Sequence, residues 1–260
     1  MQLFHAQILL KNGTQPIFVS FENTGEFHNN LCRRRAAEWR MNMPRKTFDS
    51  ELEELHNEFI EMGTMIEKAI AESIDAFRNG DAERARKVSK NDYSVNKLEQ
   101  TIQSNALTIL LRQQPVAGDL RKVSAALKVA GDMERIGDQG ADIADLAVRL
   151  AESKTAARSV RIDAMAERVA GMVRECVKAF TEGDTELAKH IIIEDDELDD
   201  LFNDVKNETA AALRNDADAD GMIDLLIIAK HFEKIGDHAV NIAEWTIFCD
   251  TGILNDVRLL

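Results

Sequence analysis

Ala130-Gly131-Asp132-Met133-Glu134-Arg135-Ile136-Gly137-Asp138-Gln139-Gly140-Ala141-Asp142-Ile143-Ala144-Asp145 recurs downstream as Ala229-Lys230-His231-Phe232-Glu233-Lys234-Ile235-Gly236-Asp237-His238-Ala239-Val240-Asn241-Ile242-Ala243-Glu244. Eight of these sixteen positions are identical or exchange one carboxylate for another. A shared helical bias would keep the apolar period but not the individual acids, so internal duplication is the economical explanation. Each copy carries apolar residues three and four apart and no proline, which is the pattern of a helix.

The same programme extends outward from both copies. Leu52, Leu55, Phe59, Met62, Ile66, Ile70, Ile74 and Phe77 make one helical stripe starting near Thr47. It stops at Asn79-Gly80-Asp81, where Gly suits a helix C-terminus and Asp caps the next helix. A second helix is carried by Val88, Val95, Leu98, Ile102, Leu107 and Leu110 and breaks at Gln113-Gln114-Pro115. A third runs from about Val116 to Ala151, through Val123, Leu127, Val129, Met133, Ile136, Ile143 and Leu146. After a break near Ser153–Ser159 the order repeats, and Ala179-Phe180-Thr181-Glu182-Gly183-Asp184 matches Ala76-Phe77-Arg78-Asn79-Gly80-Asp81. Helix five reaches about Leu213, Asn215–Asp220 turns, and helix six continues past Trp245. Long helices with short connections pack up-down-up. The expected fold is therefore all-α, two tandem three-helix bundles, with repeats at 43–153 and 154–260. A single mixed six-helix core is the alternative. Residues 1–42 contain Gly13, Pro16, Gly25 and the basic cluster Arg33–Arg35 without a sustained helical period. They read as a poorly ordered extension, with Met43 as the expected translation start.

Composition agrees with this class. Aromatic residues are 5% and there are 3 Pro, fewer than strand-rich folds use, against 45% apolar and 30% charged residues. The formal charge is -14. Residues 1–42 contribute +2, from five basic and three acidic residues, so the remainder carries -16. Such a surface repels nucleic acid and anionic lipid and favours cations and basic protein surfaces. Cys32, Cys176 and Cys249 are distant and odd in number, as in a reducing cytoplasm, and offer no thiolate metal site. No apolar run is long enough to span a bilayer, and the N-terminus lacks a secretory pattern.

Glu134, Asp138 and Asp142 are spaced i, i+4, i+8, with Asp145 three further on, so they share one face of a helix. Met133, Ile136 and Ile143 take the opposite side, which places the acids on the outer surface of the bundle. Helix six repeats the ladder with Glu233, Asp237 and Glu244, while Asn241 replaces the third acid. Like charges at i, i+4 cost about 0.2–0.5 kcal/mol per pair, and a cation bound by the oxygens would remove that cost. A solvated charged face is the other reading; the matched duplication favours metal. An all-oxygen site takes Mg, Mn, Ca, Zn or Fe. Arg135 and Lys234 stand about 100° around the helix from their neighbouring acids. His231 and His238 point away from Glu233 and read as core or surface histidines. Glu194-Asp195-Asp196-Glu197 with Asp199 and Asp200 reads as a solvated acidic face, with at most a secondary cation role. There is no phosphate-cradling glycine loop and no nucleophile with a base, so nothing argues for catalysis.

Two pieces of the chain resemble the PhoU family. One is Leu111-Arg112-Gln113-Gln114-Pro115-Val116-Ala117-Gly118-Asp119-Leu120-Arg121, the turn into helix three. The other is the pair of acid motifs, Glu134/Asp138 and Glu233/Asp237, with the following Asp142 and Asn241. The similarity covers about residues 43–250. It implies a cytoplasmic, dimeric, non-enzymatic protein with multinuclear metal clusters, often iron, on the motif face. It also implies restraint of the phosphate-starvation response, by linking the ATPase of the phosphate ABC importer to a sensor histidine kinase. The metal set by this route is Glu134, Asp138, Asp142, Glu233, Asp237 and Asn241. Asn241 leaves the second set one carboxylate short, and Arg214-Asn215-Asp216 lacks the Gln-Gln-Pro form, so the halves are not expected to be equivalent. Two other classes compete: a hydrolase using clustered cations to activate water, and a metal-storage protein. Assay of the metal-loaded protein on phosphate esters, and metal stoichiometry with a native mass, discriminate them.

Overall fold

Helix ends follow the turn chemistry of the sequence. The computed structural model describes residues 27–153, 160–215, 218–254 and 257–259. These form α1 (Phe27–Asn79), α2 (Ala82–Gln113), α3 (Ala117–Ser153), α4 (Val160–Glu182), α5 (Thr185–Leu213) and α6 (Ala219–Thr251). At the two matched turns Gly80 and Gly183 adopt φ of 62° and 70°, a conformation glycine enters without steric cost. Asp81 then accepts from the Arg84 amide, and Asp184 from the Glu186 and Leu187 amides. Each aspartate satisfies donors that the first helical turn leaves open.

The first helix begins at Phe27, upstream of the apolar stripe that defines it in the sequence. The backbone is helical through 27–42, where the sequence lacks an apolar period; the part of the expected disordered extension before residue 27 lies outside the described residues. The chain divides into two units, Met1–Thr47 and Phe48–Leu260. A further departure is at the C-terminus. Gly252 ends α6 at φ 75°, and Ile253–Leu254 (β1) pairs antiparallel with Val257–Arg258 (β2), a small hairpin the sequence reading did not anticipate.

Within Phe48–Leu260 the two three-helix repeats share one apolar core. A single cluster of buried residues includes Met62, Ile66 and Ile70 of α1, Ile102 of α2, Met133 and Ile136 of α3, Met165 and Met172 of α4, Leu198 of α5, and Phe232 and Ile235 of α6. The α1 stripe is buried as the spacing required, from Leu55 to Ile74. On α2, Leu107 is 51% exposed, and Ala106 and Ile109 are buried instead. The reason is angular: Ala106 and Ile109 lie four and seven positions beyond Ile102 and stay on its face, whereas five positions turn Leu107 about 140° away.

Among the described residues, contacts between α1 and α4 and between α3 and α6 join the repeats. Between α1 and α4, Phe59 meets Phe180 edge-on at 4.9 Å, and Arg78 binds Asp163 at 2.9 Å and Glu167 at 3.2 Å. Gly63 sits so near α4 that a Cβ there would lie 2.4 Å from Val177 Cγ1. The other contact is α3 against α6, which run antiparallel. Near the start of α3, Arg121 donates to the Cys249 and Asp250 carbonyls at the end of α6, while Arg149, near the end of α3, binds Asp224 at 2.8 Å near the start of α6. Helix α2 packs beside α3, and α5 packs against α6 and α4. The duplicated motif helices are thus the central pair.

Candidate metal centre

The two faces of α6 have different jobs. Ile235, Ala239 and Ile242 are fully buried in the core. Glu233 and Asp237, one turn apart, emerge on the flank beside α5, with side-chain exposures of 14% and 42%. Close packing of the two helices depends on Gly236, where a Cβ would lie 2.4 Å from Leu198 Cδ2 and 2.8 Å from Asp195 Oδ1 of α5. That approach brings Asp195 and Asp199, one turn apart on α5, to Glu233 and Asp237 on α6.

Four carboxylates therefore share the α5–α6 groove. Burial pushes the Asp195 carboxyl up to about 6, reinforced by the charges of Asp199, Asp237, Glu233 and Asp196. Asp199 is raised as well, by burial and then by Glu233 and Asp237, with Lys230 opposing. Two oxygens, Asp195 Oδ1 and Glu233 Oε2, are buried with no hydrogen-bond partner. A buried anionic oxygen left in this state is costly. Lysines relieve part of the repulsion: Lys230 binds Glu233 at 2.5 Å and lies 5.2 Å above the Phe202 ring, while Lys234 binds Asp237 and stands 3.6 Å from Glu233.

On α3 the matched acids are partly covered too. Glu134 and Asp138 have side-chain exposures of 21% and 28%, so the outward-facing ladder expected from the sequence is a half-buried flank. Arg135 folds back onto them, 3.5 Å from Glu134 and 3.3 Å from Asp138. The helical-wheel separation of Arg135 and Lys234 from the acids is overridden by side-chain length, because an i, i+3 pair lies within reach. Burial raises Asp138, with Arg135 and His238 opposing and Asp142 adding to the rise. Glu99 of α2 is likewise raised by burial, against the pull of Arg135.

The third position of each motif lies elsewhere. Asn241 donates from Nδ2 to Asp132 Oδ1 at 3.1 Å, across the α3–α6 seam, and His238 Nδ1 reaches the same oxygen at 2.9 Å. Asp142 is 57% exposed and 3.8 Å from His231 Nδ1, which itself contacts Gln139 Oε1 at 2.7 Å. The seam obeys the duplication: Asp132 matches His231, Gln139 matches His238 and Asp142 matches Asn241, so each contact has its counterpart. The structure brings Glu233 and Asp237 together with Asp195 and Asp199, sets Glu134 and Asp138 on the matching flank of α3, and turns Asn241 into the seam. The sequence reading takes Asp195 and Asp199 as part of a solvated acidic face with at most a secondary cation role, and does not pair them with Glu233 and Asp237. Their i, i+4 spacing repeats that of Glu233 and Asp237, but it was hidden among six acids within seven residues.

Comparison with known proteins bears on the whole arrangement. The PhoU domain family matches the chain twice, over residues 59–147 and 162–246. The phosphate-specific transport system accessory protein PhoU homolog of Clostridium acetobutylicum is 32% identical over 212 residues, spanning 81% of this chain and 97% of its own. Its Aquifex aeolicus namesake is 34% identical over 185 residues, 71% of this chain and 84% of its own. The crystal structure of PhoU from Pseudomonas aeruginosa superposes with a TM-score of 0.77 at 31% identity, covering 79% of this chain and all of that one. With both repeats, the central α3–α6 pair and the flanking acids in place, the chain belongs to the PhoU family.

Proposed function

We propose that this protein is a non-enzymatic accessory of phosphate uptake that restrains the phosphate-starvation response. It would act as an adaptor between the phosphate ABC importer's ATPase and a sensor histidine kinase in the cytoplasm, as a homodimer. The observation that carries the reading is the match of both repeats to the PhoU domain, alongside relatives named as accessories of the phosphate-specific transport system. No helix among the described residues is long and apolar enough to cross a membrane.

Metal ions belong to this proposal. The donor set suits a hard cation: four carboxylates face the α5–α6 groove, and two of their oxygens are buried without a hydrogen bond. Asp195, Asp199, Glu233 and Asp237 would hold the ion in the second repeat, and Glu134 and Asp138 in the first. The family resemblance favours iron; Zn, Mn or Mg suit the same oxygens. A bound cation would supply positive charge, and the chain's own part is to present or withdraw an acidic flank to a partner. The hydrolase alternative requires basic side chains free to grip a substrate, whereas Arg135, Lys230 and Lys234 are engaged with the acids themselves.

The deciding experiment is genetic. Deleting the gene should derepress phosphate-scavenging genes during growth on abundant phosphate, and the wild-type gene should restore repression. Unchanged expression after deletion would refute the regulatory role. Failure of Asp195→Asn/Asp237→Asn to restore repression would tie the role to the carboxylates.

A further inference from the structure

Helix α5 has a second flank, about 100° around from Asp195, where Glu194 faces α4. Glu175 on α4, His190 on α5 and Glu194 one turn beyond His190 each direct a donor atom to one place. Those three atoms lie within 4.8 Å of one another, and among the described residues no other three His, Cys, Asp or Glu side chains converge so closely. Glu175 Oε2 is buried and has no hydrogen-bond partner, and it stands 3.6 Å from His190 Nδ1, beyond hydrogen-bonding range. Beside them runs an open groove of about 700 Å³ between α4 and α5, lined by Gly171, Glu175, Glu194 and Glu197. Arg168 holds Glu194 at 3.3 Å and also pairs with Glu197, which fixes the Glu194 carboxylate at the groove's edge.

We propose that Glu175, His190 and Glu194 bind one divalent transition-metal ion, of the zinc or nickel type, at a site separate from the α5–α6 carboxylates. The imidazole decides the chemistry. An all-oxygen set suits magnesium or calcium, whereas a neutral imidazole nitrogen with two carboxylates selects borderline metals and leaves a fourth position open to water or a partner side chain. The His190 side chain is 59% accessible, so no packing holds its imidazole away from the two carboxylates. The duplication supplies an internal contrast. Counting from the matched Gly80 and Gly183 turns, Glu72 stands where Glu175 does, but Lys87 stands where His190 does. A permanent ammonium in that place repels a cation, so the site is expected once per chain.

Titrate the metal-free full-length protein with Zn²⁺ by calorimetry, and record zinc X-ray absorption on the loaded protein. Wild type and Asp195→Asn/Asp237→Asn should both retain a zinc with imidazole scattering. His190→Gln should lose one equivalent of zinc and the imidazole signal, with unchanged circular dichroism because the side chain is exposed. Glu194→Gln should weaken the same equivalent at least tenfold. The proposal is overturned if His190→Gln binds zinc with wild-type stoichiometry, or if Asp195→Asn/Asp237→Asn removes the imidazole-bearing zinc. Loss of the α5–α6 ions alone would leave this equivalent in place, so the two sites fail distinguishably.

Discussion

Replacing Asp195 by asparagine should make the metal-free protein more stable while making it a worse metal binder. In the fold its carboxyl is pushed from the ordinary 3.8 to about 6, first by burial and then by Asp199, Asp237, Glu233 and Asp196. At 1.36 kcal/mol per pH unit this corresponds to about 3 kcal/mol against the ionised form. Asp195 is only half-buried, and solvent screening brings the expected penalty to about 1–2 kcal/mol. The sign follows from linkage. Between pH 6 and 3.8 the folded state holds a proton that the unfolded chain has released, so the penalty is complete above pH 6 and fades as pH falls through that window.

The assay is denaturant unfolding of the chelator-stripped full chain, wild type beside Asp195→Asn, at pH 7.5 and again near pH 4. At pH 7.5 the variant should be more stable by about 1–2 kcal/mol, or melt about 2–8 °C higher. Near pH 4 the two should converge. With saturating metal the order should reverse, because the ion contributes binding energy to the folded state in proportion to its affinity. An Asp195→Asn protein that is equally or less stable at pH 7.5 without metal would refute the crowded-carboxylate reading of the groove.

Gly236→Ala should destabilise the protein by about 1–3 kcal/mol and weaken metal binding, since its Cβ would press on buried Leu198 at 2.4 Å and on Asp195 at 2.8 Å. Gly131→Ala, which meets nothing within 4 Å, should instead stabilise α3 by up to about 1 kcal/mol; thermal melts of the two variants check both signs. Asp132→Ala removes the acceptor that serves His238 and Asn241 and should cost about 1–3 kcal/mol. A double-mutant cycle with His238→Ala should give a coupling of at least about 0.5 kcal/mol, and zero coupling would mean that the seam contact contributes nothing.

The helices were legible because their cause is local. The stripe from Leu55 to Ile74, and the Gly-Asp pairs at 80–81 and 183–184, each act within a turn or two of chain. Even there, Leu107 of α2 is exposed and Ala106 is buried, because Ala106 and not Leu107 keeps the angular position of Ile102. The site was legible only by half. Glu134, Asp138, Glu233 and Asp237 announce themselves by duplication. Asp195 and Asp199 have no such mark, and they come beside Glu233 and Asp237 where Gly236 lets α5 approach α6. The 59–147 and 162–246 repeats also share a core, since α3 and α6 each present one face to their own bundle and another to each other. No single-helix pattern distinguishes those two apolar destinations.

The seam also explains the departure from repetition that looked like a missing ligand. When two copies of one helix meet antiparallel, each residue faces the counterpart of its own partner, and identical acids there would confront each other. Asp132 would then face a second carboxylate at position 241; the asparagine found there presents N–H groups to it instead. His231 in place of a second Asp132 similarly offers Nδ1 to Gln139 and stands near Asp142. Away from the seam, where the copies do not meet, Glu134, Ile136, Gly137 and Asp138 are retained unchanged as Glu233, Ile235, Gly236 and Asp237. At these seam contacts the differences between the copies supply complementarity, although positions such as 131/230 and 133/232 differ as well. On this argument Asn241→Asp should destabilise the seam by bringing a carboxylate to Asp132, while leaving the α5–α6 ion site unimproved. A variant that gained metal affinity in that groove would show that position 241 reaches the centre after all.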